Sequence, residues 1–481
     1  MNYRMVAKVL GSILVYEALL MILPTLVSLY YDEASYISFI ISIILMLAVG
    51  IVLKKTPLHS KSIKIKEGFA IVSLGWILSS LFGCLPYIIS GAIPAPVDAF
   101  FEAVSGYTTT GASILTDLSS LPRGILFWRS FTHWIGGIGI LVFSIALLPT
   151  IGASAIQIFR AEIPGSVSDK LVPKIKDTAK ILYITYLILT AVETILLMFG
   201  GLSLYEALIY SFGTVGTGGC ATTNAGVAAF NSTYVTVVIS IFMLLSGVSF
   251  FLYYDLLKGR FRNILKNEEL HFYLLLIFAA VFIVGMNIDS SIYNSFGESF
   301  KQSFFQVTSI ITTTGYAATD FDTWPTFSKT ILFILMFTGG CAGSSGGGIK
   351  QIRLLLIFKL VKREFQKIFH SHAMIPIKVN SRSVPSDAIA NASSFFILYI
   401  FLFVAGTALV SLENISMISA ASTVAASLSN IGVGFELIGP MQNFSFFSAP
   451  TKLFLSFLML AGRLELFTLL TLLSPSFWKT E

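Results

Sequence analysis

Ser105-Gly-Tyr-Thr-Thr-Thr-Gly111, Ser211-Phe-Gly-Thr-Val-Gly216, Ser309-Ile-Ile-Thr-Thr-Thr-Gly315 and Ser427-Leu-Ser-Asn-Ile-Gly432 are four versions of one pattern, a serine leading into a short run that closes on glycine. Each comes after a stretch of amphipathic character (97–104, 204–210, 299–308 and 416–426) and before a polar loop and another apolar run. A pattern repeated in register marks one supersecondary unit used several times. The unit reads as span, half-helix, polar loop, span. Four such units supply eight spans, and two apolar runs ahead of them, at about Val6–Leu29 and Tyr36–Leu53, bring the expected number to ten.

Composition supports a membrane setting. Of the 481 residues, 55% are hydrophobic and 12% charged, about half the charge of an ordinary soluble domain, and the mean hydropathy is +0.83. Runs such as Ile37–Leu53, Ile181–Phe199, Val235–Leu257 and Leu453–Leu473 suit a hydrocarbon core that roughly 20 helical residues cross. The apolar stretch after Arg4 and Lys8 has no small-residue cleavage site and is expected to remain as a span. Three scattered cysteines and five histidines without an HxxxH pair offer neither a disulfide framework nor a zinc site. No Ser/His, paired-Asp or HExxH constellation lies in a span, so an enzyme is not expected and no catalytic residue is assigned.

Most of the 31 Lys and Arg fall in clusters between the runs: Arg4 and Lys8, Lys54–Lys66, Arg160–Lys180, Lys258–Lys266 and Lys350–Arg382, with Lys479 at the end. Arg123, Arg129, Lys301, Lys329 and Lys452 belong to the opposite side. Cytoplasmic loops are rich in Lys and Arg, so both termini are expected in the cytoplasm and the number of spans is even. The clusters abut spans, which points to lipid and orientation and away from nucleic acid.

Polar loops survive at membrane depth only inside protein or beside water. Four of them converging on one axis can present rings of backbone carbonyls that replace the hydration shell of K⁺, with glycine admitting dihedrals closed to other residues. Thr214-Val-Gly-Thr-Gly218 is close to the TVGYG filter of potassium channels. None of the loops carries a charge at its core, which favours a monovalent cation over Ca²⁺ or Mg²⁺. The half-helices would aim their negative C-terminal ends inward. Asp98, Glu102, Asp117, Glu206, Asp289, Glu298, Asp320, Asp322, Glu413 and Glu436 would stand near the outer mouths.

Two further features concern a gate. Gly339-Gly-Cys-Ala-Gly-Ser-Ser-Gly-Gly-Gly348 places six glycines in ten residues within an apolar stretch. At roughly 1 kcal/mol each, they should split the span into two half-helices joined by a mobile loop. The stretch lacks the Gly-Lys-Ser/Thr of a phosphate-binding loop. Arg463 lies about 11 residues into the last apolar run, near mid-bilayer, where a charge must face a pore or a partner. Glu465, two positions on, points elsewhere on a helix and is a poor partner for it. For Glu193 the sequence leaves both a cytoplasmic-side position and a local pairing open.

With these segments, with Trp134-Ile-Gly-Gly-Ile-Gly139 and with Ala461-Gly-Arg463, the chain resembles the Trk/Ktr/HKT superfamily of potassium transporter subunits over essentially its whole length, the TrkH type more than the shorter KtrB type. The resemblance implies an all-α polytopic membrane protein with two N-terminal spans (1–58) and four parallel repeats (59–155, 156–262, 263–372 and 373–481) around a pseudo-fourfold pore. It implies a K⁺ filter of Thr109, Thr110 and Gly111, Thr214, Val215 and Gly216, Thr313, Thr314 and Gly315, and Asn430, Ile431 and Gly432. It implies a gate of Gly339, Gly340, Gly343, Gly346, Gly347 and Gly348 with Arg463. Implied as well are a homodimer in the cytoplasmic membrane and a TrkA-like ring of RCK domains that alone binds nucleotide. K⁺ uptake driven by membrane potential is the expected function, with H⁺- or Na⁺-coupled symport and a less selective K⁺/Na⁺ pathway as alternatives.

Overall fold

The computed structural model describes residues 1–57, 64–139, 175–289, 292–293, 295–370 and 375–479. The boundaries expected at 58/59, 155/156 and 372/373, and the basic cluster from Arg160 to Lys174, lie outside the described residues. What is described is helical, apart from a two-residue hairpin, β1 Lys378–Val379 with β2 Arg382–Ser383.

The chain opens with α1 Tyr3–Leu20 and α2 Ile22–Tyr30, which together make one apolar span, and α3 Tyr36–Lys54. α1 crosses α3 where Gly11 meets Gly50: a Cβ at Gly11 would lie 2.6 Å from Gly50 O. Small residues of this kind let backbones touch where lipid gives no hydrophobic drive. α4 Ile65–Gly83 and α5 Leu85–Ile89 follow as one span. The outward faces of α1–α3 expose Leu26, Ile37, Ile44 and Val52, as lipid contact requires.

Then come α6 Pro96–Tyr107, α7 Arg123–Ile138, α8 Ile175–Phe199, α9 Leu204–Val215, α10 Thr233–Ser246, α11 Phe250–Leu257, α12 Phe261–Leu265, α13 Glu268–Asp289 and α14 Phe296–Ile311. The rest of the chain holds α15 Thr326–Leu335, α16 Gln351–Phe369, α17 Ser386–Val410, α18 Met417–Leu428, α19 Ala449–Arg463, α20 Phe467–Leu470 and α21 Pro475–Trp478. Among the described residues six helices are long and apolar enough to cross a membrane, or up to eight if two bent pairs count as spans, α10 with α11 (93°) and α19 with α20 (117°).

α6, α9, α14 and α18 occupy the four amphipathic stretches and run beyond each of them. Their starts are written locally: Pro96 sits in the first turn of α6, Ser203 and Glu206 form a capping box on α9, and Ser416 caps α18 by accepting from Ser419 N at 3.1 Å. The final apolar run departs from expectation. It is not one helix with Arg463 in its middle: α19 ends at Arg463, and Glu465 and Leu466 take φ of 55° and 56° before α20 begins. Gly462 sits against α18, where a Cβ would overlap Leu428 O.

Candidate functional site

Helices α6, α9, α14 and α18 all stop in the same way. The residue after each cap is left-handed: Thr109 (φ 56°), Thr217 (φ 55°), Thr313 (φ 60°) and Asn430 (φ 57°). The next residue sends its N–H back to the helix, Thr110 to Ser105 O (2.9 Å), Gly218 to Gly213 O (2.8 Å), Thr314 to Ser309 O (2.9 Å) and Ile431 to Ala426 O (2.8 Å). These are Schellman caps. Three of the four left-handed residues are threonines, whose branched Cβ disfavours that region, so local strain is held by the cap bonds and the packing around them.

One residue further stand Gly111, Gly219, Gly315 and Gly432, with φ of 80°, 66°, 80° and 81°. A Cβ at Gly111 would overlap Gly218 O, one at Gly219 would overlap Thr314 O, one at Gly315 would overlap Ile431 O, and one at Gly432 would overlap Thr110 O. Each glycine therefore touches the carbonyl of the next segment, and the fourth closes on the first. The four segments form a ring of backbone.

This ring corrects the second segment. Thr214 and Val215 are helical in α9, held by Thr214 Oγ1 on Tyr210 O (2.8 Å), and Gly216 is a right-handed cap whose N–H bonds Phe212 O at 3.0 Å. The residues that match the other three segments are Thr217, Gly218 and Gly219. The remaining expected residues, Thr109, Thr110, Gly111, Thr313, Thr314, Gly315, Asn430, Ile431 and Gly432, do come together.

Directly below the ring the backbone is broken four times. α7 ends at Ile138, before Gly139 (φ 90°); α10 ends at Ser246; α15 and α16 are separated by 336–350; α19 ends at Arg463. The sequence reading found the third break and missed the others, whose signals are single glycines at 139, 247 and 462. The glycine-rich loop reaches the ring itself: Gly347 N donates to Thr313 Oγ1 at 2.6 Å, and Cβ atoms at Gly346 and Gly347 would lie 3.0 Å from Thr312 O and 2.6 Å from Ser429 O.

Arg463 crosses beneath this loop. Its guanidinium donates to Ser345 O at 2.7 Å, Gly136 O at 2.5 Å and Gly137 O at 3.0 Å, joining three of the four broken helices. Glu465 faces another way and pairs with Arg353, which lies over the Phe395 ring. Glu269, which sequence reasoning missed, ties the loop to α16 from the side: one carboxylate oxygen accepts Ala342 N, in the middle of the loop, at 2.7 Å and Ile352 N, in the first turn of α16, at 3.1 Å. A cavity of about 80 Å³ remains among Trp76, Gly137, Gly347, Lys350, Arg463 and Glu465.

Several of the acidic residues expected near the outer mouths are paired. Glu102 is buried, with Arg129 at 2.5 Å and Ile114 N at 3.0 Å. Asp98 pairs with Lys452 and Glu298 with Lys301, both at 2.7 Å. Hydrogen bonds from Ser416 and Ser419 hold the Glu436 carboxyl below its ordinary range, while burial raises that of Asp322. Glu193 is fully buried on α8 beside Thr214 of α9.

In this many-helix membrane protein four like-capped helices point their C-termini at one ring of backbone. The TrkH family model, described as cation transport protein, matches residues 36–480, and the chain belongs to that family. It is 37% identical over 484 residues to the Trk system potassium uptake protein TrkH of Salmonella typhimurium strain LT2, covering 100% of both chains. It is 32% identical over 487 residues to the Trk system potassium uptake protein TrkG of Escherichia coli K12, covering 100% of this chain and 99% of the other. The crystal structure of the potassium transporter TrkH from Vibrio parahaemolyticus superposes with a TM-score of 0.89 at 32% identity, covering 100% of each chain.

Proposed function

We propose that this chain takes up K⁺ across the cytoplasmic membrane through the ring formed by 109–111, 217–219, 313–315 and 430–432, and that the loop 336–350 with Arg463 is its gate. The carrying observation is the closure of that ring, in which every glycine clears the carbonyl of the next segment. Backbone carbonyls held this closely can stand in for the water shell of a weakly hydrated cation, and the helix C-termini behind them add negative potential. The four units (59–155, 156–262, 263–372 and 373–481) then surround the path, with 1–58 beside them. Among the described residues the two bent pairs bring the spans to eight and α15 with α16 makes a ninth; in this reading α7, which ends at the edge of the described residues, belongs to the tenth.

The gate reading rests on what lies across the path: glycine backbone pressed on the ring and a guanidinium below it. Both termini face the cytoplasm in this reading; Asn2 N on Glu67 at 2.8 Å supports it for the N-terminus by bringing it to the basic region before α4, and Asn380 N on Glu268 at 2.8 Å places two further basic regions on one side. A homodimer, and a cytoplasmic ring of TrkA-like RCK subunits that binds the regulatory nucleotide, complete the reading.

The test is ⁸⁶Rb⁺ uptake into K⁺-loaded proteoliposomes, comparing wild type with Gly315→Ser. Uptake that follows voltage and loses discrimination against Na⁺ in the variant is expected. Uptake that moves H⁺ or Na⁺ in fixed proportion would make the protein a symporter. Equal flux of Na⁺ and Rb⁺ in wild type would make it a weakly selective pathway, and an inert wild type under voltage would sink the reading.

A further inference from the structure

The second segment of the ring differs from its neighbours in having almost no side chains of its own. In the first and third segments a threonine pair braces the turn, Thr108 with Thr110 at 2.7 Å and Thr312 with Thr314 at 2.8 Å. The matching positions of the second segment are Gly216 and Gly218. A backbone run this rich in glycine has wide conformational freedom, yet the ring needs its carbonyls fixed.

What fills the missing space is His133 of α7, buried to 1% exposure. A Cβ on Gly218 would overlap Nδ1, Cγ and Cβ of His133, and one on Gly216 would lie 2.7 Å from His133 O. His133 Nε2 is 2.9 Å from Cys220 Sγ, at the end of the same segment. From the other side Tyr316, which follows the third segment, donates its hydroxyl to Cys220 O at 2.7 Å and to Tyr210 O at 3.2 Å. A Cβ at Gly213 would overlap that hydroxyl. Gly213 and Gly218 are thus seats for two side chains from elsewhere, and the segment lies clamped between them.

We infer that His133 and Tyr316 are positioning residues that fix the second segment and thereby set how well the ring separates K⁺ from Na⁺. The inference rests on the reading of the ring as the ion path. Neither residue need touch an ion: His133 acts through Gly218, and Tyr316 through Cys220 O.

The experiment measures ²²Na⁺ and ⁸⁶Rb⁺ uptake side by side in proteoliposomes for wild type, Tyr316→Phe, His133→Ala, Gly218→Ala and the double variant His133→Ala with Gly218→Ala. Each protein is first checked for a monodisperse gel-filtration peak. The Na⁺/Rb⁺ ratio is expected to rise about five- to tenfold in Tyr316→Phe, the loss of one or two buried hydrogen bonds, and at least as much in His133→Ala. Gly218→Ala alone is expected to be worse than the double variant, because removing the imidazole makes room for the new methyl. A well-folded Tyr316→Phe with the wild-type ratio overturns the inference, whether or not His133→Ala folds. If Gly315→Ser loses selectivity in that same series, the ion-path reading stands while the clamp falls; if wild type carries neither ion, it is the ion-path reading that falls.

Discussion

Asn430 Nδ2 donates to Thr110 Oγ1 at 3.0 Å and to Met459 O at 2.8 Å, binding the fourth segment both to the first and to helix α19. Asn is also one of the few residues with a side chain that accept the left-handed φ of 57° found here. Both properties can be separated. Asn430→Asp keeps the backbone preference and loses both donors, which should lower stability by about 1–3 kcal/mol. Asn430→Val loses the donors and adds a branched Cβ at a left-handed position, so it should be less stable still. Thermal unfolding midpoints in detergent would decide it, and a valine variant as stable as the aspartate would argue against backbone strain at this position.

Arg463 is held by three carbonyls, those of Ser345, Gly136 and Gly137. Hydrogen bonds from a charged donor are among the stronger ones. If this guanidinium bars the path, Arg463→Ala should raise ⁸⁶Rb⁺ flux by about tenfold or more, since even ~1.4 kcal/mol of lost closure is worth that factor. Arg463→Lys should fall between, because a compact ammonium cannot span carbonyls on two separate elements as a fork does. Unchanged flux in the alanine variant, at equal protein in the vesicles, would remove Arg463 from the gate.

Glu269 accepts from the middle of the glycine-rich loop and from the first turn of α16 through a single oxygen, which makes a sharp distinction between substitutions. Glu269→Gln retains a carbonyl oxygen at the same place and should leave the loop closed. Glu269→Ala strands two N–H groups, at about 1–3 kcal/mol each where water is excluded, and should loosen 336–350. Amide hydrogen exchange over Ala342–Ile352 is the readout: faster exchange in the alanine variant and near-normal exchange in the glutamine variant are expected. Faster exchange in both would point to the charge and not to the acceptor.

The four short helices and the glycine-rich break were legible in the sequence because each is a local matter: amphipathic runs, caps, and a density of glycine that no continuous helix tolerates. The register of the second segment was not. Thr214-Val-Gly216 looks like a filter motif, yet Thr214 and Val215 are still helix and Gly216 is its cap, and the approach of Gly219 to the next carbonyl shows which residues enter the ring. Nor could spacing reveal that His133, 87 residues from Cys220, fills the seat left by Gly218. The expectation that Arg463 lies in the middle of one continuous helix failed as well, since the left-handed Glu465 and Leu466 follow directly on the end of α19 at Arg463. Contacts between distant parts of the chain decide such points, and one sequence does not display them.

The ion pair of Glu102 on α6 and Arg129 on α7 offers the last test, because it separates attraction of ions from support of the ring. Both side chains are buried, at 2% and 6% exposure, and Glu102 also receives Ile114 N at 3.0 Å and Ser113 Oγ at 3.1 Å. A carboxylate saturated in this way has little field left to offer a passing cation. Removing one member of a buried pair, by contrast, leaves the other uncompensated, typically at ~3–5 kcal/mol. Glu102→Gln should therefore lower the unfolding midpoint clearly, whereas Asp117→Asn, at an exposed loop carboxylate, should leave it unchanged. If Glu102 served the ion instead, its glutamine variant would stay stable and shift the concentration dependence of ⁸⁶Rb⁺ uptake. The geometry favours loss of stability, with the affinity of the surviving folded protein close to that of wild type.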